Sequence, residues 1–164
     1  MVISEDQVIE DFRNLDLSIA AKVYLTQGEP RLWIEAEDNI LPLIKTQPKG
    51  DSLKITMAES YSSKRGISIR LQCQDIDSIE LQGAGNLVLD SINTGDLLID
   101  AKGAAKVSGK GTCEQLTIKC SGAASVNLGE LQAKRCDLTF NGASNGTIFV
   151  SEALDATVNG VGQV

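Results

Sequence analysis

Residues Asp77–Val164 repeat one short phrase five times: Ile79-x-Leu81-x-Gly83, Ile99-x-Ala101-x-Gly103, Ile118-x-Cys120-x-Gly122, Leu138-x-Phe140-x-Gly142 and Ala156-x-Val158-x-Gly160. The glycines stand 20, 19, 20 and 18 residues apart. Small residues follow each one: Ala84-Gly85, Ala104-Ala105, Ala123-Ala124, Ala143-Ser144 and Val161-Gly162. Side chains two apart share one face of a strand, so Ile118, Cys120 and Gly122 point one way and Thr117, Lys119 and Ser121 the other. A strand with one apolar face cannot bury that face alone. Stacking at about 4.8 Å turns equivalent residues into internal ladders that bury one another.

A period near 20 with strand alternation inside each unit predicts a solenoid. Each glycine fits a corner where the chain turns tightly, with φ > 0 or with backbone against backbone. A second alternation follows each corner: Leu87-x-Leu89, Val126-x-Leu128 and, more weakly, Val107-x-Gly109 and Gly146-x-Ile148. The expectation is an all-β chain, a single-stranded right-handed parallel β-helix with coils of about 20 residues. Ile99, Ile118 and Leu138 should stack in adjacent strands.

The N-terminal part keeps the alternation without the glycine phrase. Residues 1–11 read as a lead-in, residues 12–76 as strands or cap coils, and residues 77–164 as the glycine-marked repeats, all in one domain. Leu15-x-Leu17-x-Ile19-x-Ala21-x-Val23-x-Leu25 predicts a strand or a bent pair of strands. Gln27-Gly28-Glu29-Pro30 reads as a turn, and Leu32-x-Ile34-x-Ala36 as a strand with Trp33 on its other face. Asp38-Asn39 suits the cap of one helical turn over Ile40–Ile44, kept short by Pro42. Pro48-Lys49-Gly50-Asp51 reads as a turn, Leu53-x-Ile55-x-Met57 as a strand, 58–66 as an exposed loop, and Ile67-x-Ile69-x-Leu71-x-Cys73 as the next strand.

Composition narrows the function classes. A net charge of −7 over 164 residues argues against nucleic acid or an anionic membrane as partner, since phosphate binding needs a concentrated basic surface. Lys64-Arg65 is a dense basic spot in a polar stretch. No apolar run approaches the roughly 20 residues of a membrane-spanning helix. Met1 leads straight into Glu5-Asp6 without a signal peptide, so either the chain stays inside the cell or it begins after a removed leader. Cys73, Cys113, Cys120 and Cys136 show no CxxC pair, and the chain has no histidine, which argues against zinc. Cys120 falls where Leu81 and Phe140 fall in other repeats, and Cys136 where Leu97 falls; they are expected as buried free thiols rather than a disulfide.

Catalytic constellations are weak. Without histidine there is no base to activate a serine or cysteine, and no Gly-x-Ser-x-Gly elbow occurs. The glycine phrases lack the spacing and lysine of phosphate loops and the aspartate of calcium nonapeptides, so no cofactor or metal is expected. Asp75/Asp77 and Asp96/Asp100 come nearest to paired carboxylates, but counting back from the corners the acids do not stack: Glu80 and Asp100 are followed by Lys119, Thr139 and Thr157, and Asp90 by Lys110, Gly129 and Phe149. One feature suits binding. Three residues past the corner glycines come Asn86, Lys106, Ser125, Asn145 and Gln163, a polar ladder about 19 Å long at the strand spacing. Trp33 and Tyr61 are the aromatics expected to be available for stacking on a sugar. Outward strand positions also carry polar residues for solubility alone.

The order of these features resembles the bacterial family called putative auto-transporter adhesin, head GIN domain. The resemblance rests on Phe12 and Leu15-Asp16-Leu17, Val23–Gly28, Leu32–Ala36, Asp38–Leu41, Gly50–Ile55 and the repeated Gly-Ala-Gly phrase, over nearly all of residues 10–164. Alanine replaces the second glycine in Gly103-Ala104-Ala105 and Gly122-Ala123-Ala124, and the family's aromatic-rich tail is missing. The resemblance implies a right-handed β-helix in an exported protein of the bacterial envelope or surface, with no catalytic residues to carry over. The leading expectation is a non-enzymatic surface module for adhesin-like binding or display of a glycan or surface protein. The alternatives are a carbohydrate-active β-helix lyase or hydrolase, and a structural envelope protein that self-assembles as a homo-oligomer.

Overall fold

The computed structural model describes the backbone of residues 2–8, 11–19, 21–57, 67–83 and 85–163, and the side-chain surroundings of 11–19, 21–56, 67–83 and 85–159. Residues 58–66, expected as a loop and carrying Tyr61 and Lys64-Arg65, lie outside the described residues, as do the surroundings of Gly160 and Gln163. The chain is all-β. Its strands are β1 (Val2–Val8), β2 (Asn14–Ser18), β3 (Lys22–Gln27), β4 (Arg31–Glu37), β5 (Ile44–Lys49), β6 (Ser52–Met57), β7 (Ser68–Cys73), β8 (Ser78–Gln82), β9 (Asn86–Lys102), β10 (Lys106–Gly122) and β11 (Ser125–Gln163), with one 3-10 turn at Leu41–Leu43.

These strands form one curled sheet. Its C-terminal part is parallel and in the register the glycine phrase demands. Ile118 pairs with Ile99 on one side and Leu138 on the other, and Cys120 with Ala101 and Phe140. The row continues through Ile79 to Leu15 and Leu53, all buried on the enclosed face. A second row runs Ile69–Val23–Leu87–Val107–Val126, also buried. Alternation thus becomes a continuous core of β-branched and leucine side chains, each ladder rung contacting the next.

Four of the repeat glycines take left-handed backbone. Gly83, Gly103, Gly122 and Gly142 have φ of 88°, 90°, 96° and 97°, the left-handed side that favours glycine. They also stack on one another: a Cβ on Gly103 would lie 3.0 Å from the Gly83 carbonyl oxygen, and one on Gly142 2.7 Å from that of Gly122. A further tight point, not marked by the phrase, is Gly111, where a Cβ would fall 1.9 Å from the Ile92 oxygen. There the register shifts, between Gly109 and Gly111 against β9 and between Ser108 and Lys110 against β11. This bulge corrects the simple count from the corners: Lys110 pairs with Glu130, not Gly129.

The N-terminal part departs from an all-parallel helix, and the sheet as a whole is mixed. β4 runs antiparallel to β7, β5 to β6, and β1 to β4. Residues 2–8, expected as lead-in, therefore form a paired strand. β5 takes in Ile44, read as the end of a helical turn, and Pro48-Lys49, read as the start of a turn; its Pro48 sits on a strand paired with β6 alone, the edge position that proline favours. The 3-10 turn has Ile40 at its cap with no side-chain cap bond, so Asp38-Asn39 does not cap it. Spatial order also differs from chain order. β6 and β7 lie on one side of β2 and β3, while β8 and β9, later in the chain, lie on the other.

Candidate functional site

The sheet presents two solvent-facing surfaces with different chemistry. On the first, β4, β7, β3, β9, β10 and β11 lie side by side, and their outward residues align in rows. The expected polar ladder is present as an alignment: Lys106 pairs with Asn86 and Ser125, and the Asn145 amide donates to the Ala124 carbonyl oxygen at 3.1 Å. All four side chains are exposed. The row extends past the residues found by counting from the glycines, because Asn86 also pairs with Lys22 and Lys22 with Ser68. Its floor is a shallow groove of about 330 Å³ lined by Lys22, Asn86, Lys106, Ser108, Ser125 and Asn127.

Two residues along these strands, on the same face, lies the row Trp33–Arg70–Tyr24–Val88–Ser108–Asn127. β7 lies between β4 and β3, which puts Arg70 between the two aromatic rings. Its guanidinium carbon sits 4.9 Å from the Trp33 ring centre and 6.0 Å from that of Tyr24, and the Lys22 ammonium lies 5.3 Å over the same tyrosine. Trp33 is half-buried, so its ring serves both packing and surface. This row walls a depression of about 480 Å³, lined also by Thr26, Arg31, Gln72 and Asp90. Of the group, sequence reasoning found Trp33 alone. Tyr24 and Arg70 were legible as outward positions, but only the non-sequential strand order brings them to Trp33.

The second surface carries acids. Asp16 pairs in register with Glu80, and Glu80 with Asp100, on three adjacent strands. The count from the corners holds on one side, where Lys119 and Thr139 follow Asp100, but it missed Asp16, which comes from far upstream and joins the row because β2 lies beside β8. Lys54 and Lys119 bound the row. Glu80 accepts hydrogen bonds from Lys102 at 3.1 Å and Gln82 at 3.1 Å, which hold its pKa below the usual carboxylate range. Asp16 is shifted the other way, raised first by burial and then by the Glu80 charge, and its Oδ1 is buried without a hydrogen-bond partner. Glu80 is thus already engaged by two donors, and no group of three metal-ligating side chains occurs among the described residues. Cys73, Cys113, Cys120 and Cys136 are free thiols buried in the core, where burial pushes Cys73 up to about 12 and the others up to about 11.

The profile of the family described as putative auto-transporter adhesin, head GIN domain, matches residues 11–164. The chain belongs to that family. Solved structures share the fold at low identity. A putative adhesin from Bacteroides fragilis is 18% identical, with a TM-score of 0.68 over 99% of this chain and 95% of its own. A putative adhesin from Parabacteroides distasonis is 15% identical, with a TM-score of 0.77 over 96% of this chain and 70% of its own. A third, called a putative lipid binding protein and also from Parabacteroides distasonis, is 14% identical, with a TM-score of 0.58 over 99% of this chain and 96% of its own. No curated protein matches the sequence. Among the described residues of this head GIN domain chain, no helix is long and apolar enough to cross a membrane.

Proposed function

We propose that this head GIN domain is a non-enzymatic, adhesin-like contact module of an exported bacterial envelope or surface protein, and that it binds glycan through its first solvent face. The observation that carries the reading is the Trp33–Arg70–Tyr24 row beside the ladder of Lys22, Asn86, Lys106, Ser125 and Asn145. Aromatic surface with neighbouring amides, hydroxyls and cations is what a saccharide needs: an apolar face to stack on and donors for its hydroxyls. In this reading residues 1–164 act as one domain, and the parallel rungs wind as a right-handed β-helix, the hand that parallel crossovers favour. Gly83, Gly103, Gly122, Gly142 and Gly160 mark its corners, and the antiparallel β1, β4 and β5 close its N-terminal end against edge pairing.

The second reading is a carbohydrate-active enzyme on the other face, favoured by the Asp16–Glu80–Asp100 row with its oppositely shifted acids. A glycan array probed with the purified chain, with light scattering on the same sample, tests the first. Specific binding by a monomer is the expected result. No binding to any glycan, together with a defined oligomer, overturns it in favour of a structural, self-assembling role. Shortening of a bound glycan overturns it in favour of the enzyme.

A further inference from the structure

We infer that the depression walled by Trp33, Arg70 and Tyr24 is a subsite for an acidic sugar, with the Arg70 guanidinium taking the sugar carboxylate. The inference rests on the glycan-binding reading of this face and narrows it to a ligand class. The guanidinium carbon lies 4.9 Å from the Trp33 ring centre and 6.0 Å from that of Tyr24. Such cation–ring contacts hold the side chain in place and use none of its N–H donors for hydrogen bonds. Among the described residues no carboxylate forms an ion pair with Arg70, although the chain carries a net charge of −7. The nearest acid of the depression, Asp90, is paired with Lys110 at 3.5 Å. A planar fork of donors, held by its neighbours and with no ion-pair partner among the described residues, matches a carboxylate in two-point geometry.

Charge on this face agrees. Lys22 lies over Tyr24, and Lys106 follows two strands along the neighbouring row, so cations stand on the approach to a depression whose lining acid, Asp90, is itself paired with Lys110. The depression of about 480 Å³ is within the range for a small-ligand site and is lined by the hydroxyl of Thr26 and the amide of Gln72, groups that suit sugar hydroxyls. An extended acidic peptide is the poorer fit. Peptides gain affinity here by adding a strand to a free edge, and β7 and β3 are each hydrogen-bonded on both sides.

Trp33 is the only tryptophan in the chain, so its fluorescence reports this site alone. The full chain is titrated with tetragalacturonate, with the same oligosaccharide after reduction of its carboxyls to alcohols, and with a tetraglutamate peptide. The expected result is a saturable Trp33 response to the acidic sugar, at least tenfold tighter than to the reduced sugar or the peptide. Arg70→Gln should abolish it, and Arg70→Lys, which keeps the charge and loses the fork, should weaken it several-fold; unchanged circular dichroism verifies the fold of both. Equal affinity for the reduced sugar overturns the carboxylate assignment and leaves the glycan reading standing. Equal affinity for the peptide overturns the sugar assignment. Array binding without any Trp33 response places the glycan elsewhere and overturns the subsite, whereas a blank array overturns the underlying reading itself.

Discussion

Replacing Gly122 by alanine tests the stacked corners quantitatively. Gly122 has φ of 96°, and a Cβ there would meet three Gly103 backbone atoms, at 3.1 Å from the oxygen and 3.2 Å from the Cα and nitrogen. Left-handed backbone costs an alanine about 1–2 kcal/mol. Pressing a methyl into backbone that can yield only a few tenths of an ångström adds about 1–3 kcal/mol. The reduced freedom of the unfolded chain returns about 0.4–1 kcal/mol. The expected loss is about 2–4 kcal/mol, or a fall in Tm of about 5–15 °C for a chain of this size. Two other glycines separate the contributions. Gly50 has φ of 59° with nothing within 4 Å of its added Cβ, so Gly50→Ala should cost the backbone part alone, about 1 kcal/mol. Gly95 has neither feature, so Gly95→Ala should change stability by no more than about 0.5 kcal/mol. Urea midpoints of the three variants should rank in that order. If Gly122→Ala costs no more than Gly50→Ala, glycine-on-glycine stacking is wrong; if it matches Gly95→Ala, the corner assignment fails as well.

Gly111→Ala should be the harsher change, above about 4 kcal/mol, because its Cβ would overlap the Ile92 oxygen at 1.9 Å with φ of 138°; recovery of a folded variant melting near the parent would refute the bulge. The four thiols should react with Ellman's reagent at pH 8 at least about 100-fold more slowly in the native chain than in urea, since burial in the core pushes each one up and shuts out the reagent; one rapid thiol would contradict the core register. Asp16 and Glu80 should show opposite pH dependence. The fold favours protonated Asp16, so its penalty is absent below the ordinary carboxylate range and grows as pH rises through the raised value; Asp16→Asn should stabilise more at pH 7 than at pH 4. Glu80 stabilises above its unfolded pKa and loses that contribution as pH falls through its lowered one, so Glu80→Gln should cost up to about 1 kcal/mol at pH 7 and less at pH 4. Urea titrations at both pH values check the two signs.

What was legible in the sequence is what local periodicity encodes. The pairing of Ile99, Ile118 and Leu138 and the left-handed Gly83, Gly103, Gly122 and Gly142 follow from alternation and spacing, because parallel rungs of equal length must align like with like. The bulge at Gly109–Gly111 was hidden, since a one-residue slip leaves the period nearly unchanged. The antiparallel β4 and β5 were hidden for a different reason: alternation defines a strand's faces and says nothing of its direction. The order of the strands decides the surface. β6 and β7 slot in on one side of β2 and β3 and β8 on the other, which brings Arg70 between Trp33 and Tyr24 and Asp16 beside Glu80. Neither Arg70 nor Asp16 carries a signature along the chain that joins it to its cluster, because each lies tens of residues from its row neighbours Trp33 and Glu80 and meets them only through the order of strands.

The most direct test of the contact face is the ¹H–¹⁵N spectrum of the full chain, with Trp33 supplying its single indole N–H resonance, recorded during titration with the tightest glycan from the array. The expected result is a saturable shift of the Trp33 indole and the Arg70 Nε resonances at the same midpoint, with the amides of Asp16, Glu80 and Asp100 unmoved. Saturable shifts at Asp16 and Glu80 with the Trp33 indole unmoved would contradict it, and would move the function of this adhesin-family chain to the acidic face.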